Sequence, residues 1–177
     1  SEFIPDYFIK DGEIINSKDW SIQAIHTPGH TSNHMCYSFL EESILFTGDH
    51  VMGWSTTVIV PPDGNMGDYL KSLNKLLSRD EKVYFPTHGG SILKPKQFVR
   101  ALIAHRRMRE KQALLKLGHG PLSINEMIPA FYSGTNKKLW PAAAKSLQAL
   151  LIYLATKDKV KCLNRNDYDM KWSLIKL

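Results

Sequence analysis

The sequence contains little cysteine and no long apolar run. Its 177 residues include two cysteines, Cys36 and Cys162, which are too far apart for a paired zinc-ligand motif and too few for a disulfide framework. Cys36 falls in a strand-like pattern and is expected to be a buried thiol, which favours a reducing, cytoplasmic compartment. No stretch resembles a signal peptide or is long enough to span a bilayer, so no membrane association is expected.

Acidic residues are scarce in the second part of the chain. Up to Leu93 there are six lysines and arginines against twelve aspartates and glutamates, and from Lys94 onward there are seventeen against five. The net charge therefore changes from −6 in the first part to +12 in the second. A basic module is typical of a protein that binds a polyanion, although a solvated lysine surface explains the same composition.

Three apolar, strand-like runs each end in a tight turn that carries a metal-binding type of side chain. The first precedes a histidine-rich loop at 26–34, in which Pro28 and Gly29 favour a loop over a helix. The second run precedes Asp49 and the third precedes His88. Loops at strand ends often carry function, and imidazole and carboxylate are ligands of zinc. The repeated pattern therefore predicts one convergent metal site.

These motifs resemble the C-terminal half of the metallo-β-lactamase fold. TPGHT at 27–31, FTGD at 46–49 and the strand before His88-Gly89 occur in the order found in that family, which includes hydroxyacylglutathione hydrolases and RNase Z. GWSTTV at 53–58 and the HRxxRE pattern at 105–110 resemble lactamase-like hydrolases with a winged-helix tail, some of which are endoribonucleases. The resemblance implies an α/β (α+β) fold, namely the C-terminal half of an αββα sandwich followed by a winged helix-turn-helix.

The resemblance also implies roles for individual residues. His30 matches the third histidine on the first zinc, Asp49 matches the carboxylate that bridges two zinc ions, and His88 matches the last histidine on the second zinc. His34 matches a family histidine that is not a direct ligand, and we expect it to orient the loop or to contact substrate. His50 follows the bridging carboxylate and is expected to lie behind the ligands rather than to bind metal.

One motif of the family is absent from this sequence. The remaining zinc ligands and the general acid/base of the family lie in an HxHxDH motif, which the chain does not contain. We therefore expect a C-terminal part of a larger hydrolase, without the preceding half of the sandwich. Three ligands spread over two metal positions leave each zinc under-coordinated, so this polypeptide alone is expected to bind zinc weakly and to be inactive.

Local patterns predict the order of elements. Asp11-Gly12 predicts a hairpin between 7–9 and 13–15, and the runs 20–25, 35–40 and 44–47 predict strands. Asp68 is expected to cap a helix with a buried apolar stripe, which precedes the strand to His88. The expected organisation is a metallo-β-lactamase-like domain at 1–93, a long helix and linker at 94–120, and a winged-helix domain at 121–177.

The long helix combines an apolar stripe with a dense cationic cluster. Arg106 and Arg109 belong to this cluster, which either binds phosphate or forms a charged solvent face. His105 falls on the apolar side and is expected to be a satisfied core histidine or an anchor near the site. Thr56, in the hydroxyl-rich segment after Asp49, either hydrogen-bonds substrate or caps a strand.

The last segment has the pattern of a winged helix-turn-helix. A capping box at 123–126 opens a short helix, a turn follows at 133–136, and a longer helix has Pro141 in its first turn. Two strands at 160–163 and 172–175, joined by a turn at 164–167, complete the wing. The second helix carries few residues suited to reading bases, so we expect the tail to wall the active-site cleft and to hold a polyanionic substrate.

These expectations favour a zinc-dependent hydrolase that acts on a phosphodiester such as single-stranded RNA. Bimetallic zinc chemistry serves thioesters equally well, so an acyl hydrolase of the thioesterase or glyoxalase II type is the alternative. A nucleic-acid-binding fragment without enzymatic activity is a third hypothesis, which salt-dependent binding without turnover would support.

Overall fold

A computed structural model describes residues 4–163 and 170–175. Within those residues, five strands form one mixed sheet in chain order: β1 (Ile14–Asn16), β2 (Ser21–His26), β3 (Met35–Phe39), β4 (Ile44–Gly48) and β5 (Val83–Pro86). The strands β1 to β4 are antiparallel neighbours, which confirms the runs predicted at 20–25, 35–40 and 44–47. β5 is parallel to β4 because α1 (Met66–Leu77) returns the chain across the sheet.

The hairpin predicted around Asp11-Gly12 is wrong. Residues 7–9 form no strand, and β1 pairs with β2 instead. Gly12 does lie in a turn, with φ of +80°, but its amide donates to the carbonyl of Ala24 at 2.8 Å. The Asp11 carboxylate accepts from the amide of His26 at 2.7 Å. The segment around Gly12 thus satisfies backbone groups of β2 instead of forming a local hairpin turn.

The helix α1 covers one face of the sheet. Tyr69, Leu73 and Leu76 lie on its inner stripe and are fully buried, as the helical spacing predicted. The predicted cap at Asp68 is wrong, because the side chain of Asn65 accepts hydrogen bonds from two amides of the first turn at 2.8 and 3.1 Å. Asp68 lies inside that turn, where its charge interacts favourably with the helix dipole.

The opposite face of the sheet is apolar and uncovered. Tyr37 lies opposite Phe46 in register, and Phe46 lies opposite Phe85, so the three rings form a row across β3, β4 and β5. Their exposed fractions are 36%, 46% and 41%, whereas Cys36 and Leu45, which point to the other face, are fully buried. The sheet therefore has one face packed by helices of this chain and one that is apolar and open to solvent.

The second part of the chain consists of a long helix and a small mixed module. The long helix is α2 (Pro95–Leu117), and within the described residues the module contains a short 3-10 helix (Lys137–Leu139) and a three-stranded sheet in which the last strand of the chain lies between the other two. The remaining elements are β6 (Leu122–Ser123), α3 (Ile124–Phe131), α4 (Trp140–Ala155), β7 (Val160–Cys162) and β8 (Lys171–Leu174). The module and the sheet domain share one continuous apolar core, which runs from Ile25 to Trp172.

Most of the predicted elements of this module are present. The capping box is confirmed: the amide of Ser123 donates to the Glu126 carboxylate at 2.7 Å, and the Ser123 hydroxyl accepts from the Glu126 amide at 3.3 Å. Pro141 lies in the first turn of α4 as expected. The turn predicted at 164–167 lies outside the described residues. β6 was not predicted, because two residues are too few to show a periodic pattern.

The cationic cluster of α2 does not lie on one surface. Arg107 and Lys111 are exposed, but Arg106 is only 6% exposed and Arg109 is half-buried. Glu110 pairs with Lys159 at 2.7 Å rather than with an arginine of the cluster. The interpretation of the whole cluster as a solvated face is therefore wrong for Arg106, because that side of α2 faces the sheet domain. Among the helices of the described chain, none is long and apolar enough to cross a membrane.

The capping box generates a stability prediction. Ser123→Ala removes the acceptor for the Glu126 amide, and we expect the free energy of unfolding to fall by about 1 kcal/mol. Ser133→Ala, in an exposed turn of the same module, is the matched control and should change the free energy of unfolding little. Denaturant unfolding of both variants measures the difference, and equal stability of the two variants would contradict the role of the cap.

Candidate metal centre

The three predicted ligands converge at one edge of the sheet. Asp49 follows β4 and lies between His30, in the loop after β2, and His88, after β5. One carboxylate oxygen of Asp49 is 3.9 Å from Nε2 of His30, and the other is 3.5 Å from Nε2 of His88. The strand ends thus bring together side chains that are 58 positions apart in the sequence.

The orientation of His30 is determined by its own hydrogen bond. Nδ1 of His30 lies 2.8 Å from the carbonyl oxygen of Val58. Since a carbonyl only accepts, Nδ1 carries the proton, and the lone pair of Nε2 is directed away from this contact. This is the arrangement by which proteins prepare an imidazole to bind a metal ion.

The histidine loop is packed tightly onto α1. The amide of Asn65 donates to the Gly29 carbonyl at 2.9 Å, and the hydroxyl of Ser72 donates to the Pro28 carbonyl at 2.8 Å. Gly29 has φ of +141°, and a Cβ atom at this position would lie 2.3 Å from the Cα atom of Tyr69. Only glycine fits between the loop and the helix, so the position of His30 depends on this close approach.

The backbone around Asp49 is held by two contacts. Gly48 turns the chain with φ of +52°, and a Cβ atom there would lie 2.6 Å from Nε2 of His34. The hydroxyl of Thr57 donates to the Asp49 carbonyl at 2.6 Å. Oδ1 of Asp49 is buried and has no hydrogen-bond partner among the described residues. A cation at this point would satisfy the orphaned oxygen.

His88 is the most exposed of the three predicted ligands. The amide of Gly53 donates to the His88 carbonyl at 2.8 Å, and Gly53 packs directly against Gly89, which has φ of +94°. This contact attaches the segment 52–58 to the end of β5. A side chain at Gly89 would lie 2.9 Å from the backbone of Gly53, so the two glycines permit the approach.

The three side chains are of types that bind zinc, but they are too few to complete a zinc site. Two imidazole nitrogens and a carboxylate are ordinary zinc ligands, and one of the imidazoles is already oriented. Within residues 4–163 and 170–175, no group of three or more histidine, cysteine, aspartate or glutamate side chains has an arrangement that could hold a metal ion. The metal-ligand roles of His30, Asp49 and His88 therefore stay a prediction, and a zinc site needs further ligands.

His34 lies beside the centre and faces the loop. Its Nδ1 shares a hydrogen bond of 2.8 Å with the hydroxyl of Thr27, which in turn lies 3.2 Å from the sulfur of Cys36. Burial, together with neighbouring His30, lowers the pKa of His34 to about 4, so the ring is neutral. Of the two expected roles, these contacts favour orienting the loop over contacting substrate, and the role of His34 stays a prediction. The burial of Cys36 is confirmed and raises the pKa of its thiol to about 12.

His50 lies in a buried stack behind the centre. Its ring is fully buried, 5.7 Å from the ring of His34 and 4.8 Å from that of Tyr69. On its other side Tyr69 contacts the guanidinium of Arg106, whose carbon lies 5.2 Å from the ring centre. Neither ring nitrogen of His50 has a partner among the described residues. Burial, together with His34 and His30, lowers the pKa of His50 to about 3.

The remaining candidates lie in a neighbouring cavity rather than at the centre itself. Thr56, His105, Arg106 and Arg109 all line a cavity of about 300 Å³ between the segment 52–58, α2 and the C-terminal module. The prediction that His105 is a satisfied core histidine does not hold within the described residues, because its buried Nδ1 has no partner there.

Several contacts at this site had no signal in the sequence. Thr57 and the Val58 carbonyl act through loop geometry, and no periodic pattern reports which backbone oxygen a loop presents. Trp54 and Tyr132 line the cavity from parts of the chain 78 positions apart. The GWSTTV motif at 53–58 marks the segment that contacts Asp49 and His30, but it did not indicate which of its residues would hold Asp49.

The two buried histidines predict an acid-sensitive fold. Their ordinary pKa is 6.5, and their folded pKa values are about 4 and about 3. Below pH 6.5 the unfolded chain binds protons that the folded chain does not, so the stability present above pH 6.5 is lost as the pH falls. The free energy of unfolding should decrease by up to about 1.4 kcal/mol per pH unit for each histidine.

Denaturant unfolding between pH 7 and pH 5 measures this decrease. His50→Leu should make the decrease shallower, because one of the two protons is no longer taken up on unfolding. His119→Asn, at an exposed position, is the matched control and should leave the slope unchanged. A His50→Leu variant with the slope of the unchanged chain would refute the assignment.

Comparisons with known proteins agree with this geometry. Residues 1–88 match the model of the metallo-beta-lactamase superfamily. The lactamase-like protein aptB of Emericella nidulans is 32% identical over 162 residues, which cover 86% of this chain and 51% of that protein. An atrochrysone carboxyl ACP thioesterase of the same organism is 37% identical over 109 residues, 62% of this chain and 34% of that protein.

A solved structure extends the likeness to the C-terminal module. A metallo-beta-lactamase family protein from Thermus thermophilus superimposes with a TM-score of 0.78 at 25% identity, over 94% of this chain and 54% of that one. Two curated relatives match this chain over most of its length. The chain nevertheless spans only about half the length of each of them. The mixed α/β fold predicted from the sequence is confirmed, and the chain has the fold of the metallo-β-lactamase superfamily.

Proposed function

We propose that this chain is part of a metal-dependent hydrolase. The observation that carries the proposal is the position of Asp49, whose two carboxylate oxygens face the Nε2 atoms of His30 and His88. A carboxylate between two imidazoles is suited to hold two cations close together. The relatives that this chain matches include a lactamase-like protein and thioesterases, which supports hydrolysis as the reaction class.

In this proposal His30, Asp49 and His88 would hold the metal, with Nε2 of each histidine available as a donor. Bound zinc ions lower the pKa of water and stabilise negative charge on the attacked atom. The Val58 carbonyl holds His30 in the required tautomer, and Thr57 holds the backbone of Asp49. The remaining ligands and the general acid/base are expected from the HxHxDH motif of the family, which this sequence does not contain.

A phosphodiester, chiefly in single-stranded RNA, is the proposed substrate. The supporting observation is the net charge of +12 carried by the chain from Lys94 onward. This basic part follows the centre in which Asp49 lies beside His30. Neutralisation of several phosphates by lysine and arginine is the main source of affinity for nucleic acids. We further propose that the module after residue 120 is a winged helix, since the order β6-α3-α4-β7-β8 provides two helices and a terminal hairpin.

An acyl thioester is the second candidate substrate. The observation in its favour is the identity of 37% to an atrochrysone carboxyl ACP thioesterase. That match covers 109 residues, however, whereas the lactamase-like protein matches over 162 residues. The thioesterase likeness therefore leaves out a larger part of this chain than the likeness to aptB does.

The first test is an Asp49→Asn substitution in the complete enzyme, with zinc present. The substitution keeps the size of the side chain but removes its charge, so we expect hydrolysis to fall by at least about 100-fold. Cleavage of a labelled single-stranded RNA and turnover of an acyl thioester are measured side by side. Asp80→Asn, at an exposed carboxylate that pairs with Lys96, is the control and should retain activity.

The two assays separate the candidates. Loss of RNA cleavage in Asp49→Asn supports the phosphodiesterase, and turnover of the thioester alone would replace it with the acyl hydrolase. Binding of RNA without turnover of either substrate would reject the hydrolase and leave a nucleic-acid-binding protein. Full activity of Asp49→Asn would reject the assignment of the centre itself.

A separate prediction concerns zinc binding by this chain alone. Because three ligands cannot complete two zinc sites, we expect at most one weakly bound zinc ion, and its binding should be lost in His30→Ala and in His88→Ala. Isothermal titration with zinc measures the affinity and the stoichiometry, and His119→Ala is the control. Two tightly bound zinc ions per chain would show that other residues complete the site.

A further inference from the structure

The cavity beside the metal centre has an unusual lining. Three basic side chains contribute to it, together with five hydroxyl-bearing side chains and several apolar ones, and no aspartate or glutamate of the described chain lines it. The basic residues are His105, Arg106 and Arg109, and the hydroxyl groups belong to Ser55, Thr56, Tyr132, Thr135 and Ser146. Such a lining is suited to an anionic group that carries an apolar or planar attachment.

The cavity adjoins the proposed metal ligands through the segment 52–58. The amide of Gly53 in this segment donates to the carbonyl of His88, and the neighbouring Trp54 lines the cavity. At the other end of the segment, the carbonyl of Val58 accepts from His30. A molecule bound in the cavity would therefore lie beside the same segment that positions two of the three ligands.

The two arginines of the cavity have no carboxylate partner in the described chain. Arg106 donates to the Thr57 carbonyl and contacts the ring of Tyr69, and Arg109 donates to the Phe131 carbonyl at 2.6 Å. The Nε atoms of both arginines are buried without a partner among the described residues. Neutral acceptors compensate a buried guanidinium charge only in part, so the cavity favours an anion.

The charge of the cavity and the residue at its rim also favour an anion with a planar attachment. Burial, and after it the positive charges of Arg106 and Arg109, lower the pKa of His105, which favours its neutral ring, so the two guanidinium groups supply the positive charge of the cavity. Trp54 lines the cavity and is 73% exposed, although a large apolar side chain is normally covered. An exposed indole next to paired cations is a stacking surface for a nucleobase.

We propose that this cavity binds a phosphate group of single-stranded RNA, with an adjacent base stacked on Trp54. Arg109 contacts the phosphate directly, and Arg106 supplies charge from behind. The proposal rests on the phosphodiester substrate proposed above, and it assigns the RNA-binding site to the junction between the sheet domain and the C-terminal module. Binding here would place the strand alongside the metal centre without any contribution from the metal ions.

Binding can therefore be tested on this chain without zinc. Fluorescence anisotropy of a labelled pentauridylate measures the affinity at low salt. Arg109→Met should weaken binding about tenfold or more, because it removes a charge-assisted contact to phosphate. Trp54→Ala should weaken it about fivefold or more, because a stacked base is lost.

Arg107→Met is the matched control, since Arg107 lies on the same helix, carries the same charge and is exposed outside the cavity. A loss confined to Arg109→Met and Trp54→Ala supports the cavity. Equal weakening by Arg107→Met and Arg109→Met would show that binding depends on general surface charge, and it would overturn the proposal. The proposal would also be overturned if the chain, shown to be folded by circular dichroism, did not bind the RNA. If Arg109→Met does not fold, Trp54→Ala decides, because its side chain is largely exposed.

This binding test fails or succeeds independently of catalysis. If RNA binds at the cavity and Asp49→Asn keeps full activity, the RNA-binding role of the cavity stands and the assignment of the metal centre is rejected. Zinc-dependent RNA cleavage with equal affinities of all variants would retain the hydrolase and reject the cavity.

Discussion

The hydrogen bonds of Thr57 and Val58 are the contacts on which the rest of the site depends. The Thr57 hydroxyl holds the carbonyl of Asp49, and the Val58 carbonyl holds Nδ1 of His30. The carbonyl of Thr57 in turn accepts from Arg106, which belongs to α2. Two consecutive residues thus connect two predicted ligands with the helix that leads to the C-terminal module. Two hydrogen bonds therefore separate Arg106 from each of Asp49 and His30.

A second constraint comes from the sheet. Its inner face is packed by α1 and contributes to the apolar core, while Tyr37, Phe46 and Phe85 form an exposed apolar row on the other face. Sheets in globular proteins with an apolar face bury it against another layer. The second layer of an αββα sandwich would cover this row, and the chain spans about half the length of the curated relatives it matches over most of its own length. On the proposal above, such a layer would also supply further metal ligands next to His30, Asp49 and His88.

The sequence predicted the convergence of the ligands better than the details around them. Strand ends marked by Gly48 and Gly89 are visible as local patterns, and so is the capping box at Ser123. The burial of Arg106 was not predictable, because helical spacing does not reveal which neighbour covers a polar residue. The hairpin at Gly12 failed for a related reason: the turn exists, but the end of β2 takes its hydrogen bonds. Long-range partners decided both cases.

If the proposals above hold, the cavity rather than the metal centre would select the substrate. Zinc held by His30, Asp49 and His88 would favour attack on a phosphorus and on a carbonyl carbon alike, so the proposed centre alone would not distinguish phosphodiester from thioester. The group that must be bound beside the reacting atom does differ, because RNA places further phosphates along the strand. A cavity with two arginines, an exposed indole and no carboxylate among the described residues is better suited to that anion than to a neutral acyl chain. On the proposals above, the junction with the C-terminal module is therefore the part of this fold that would determine the specificity of the hydrolase.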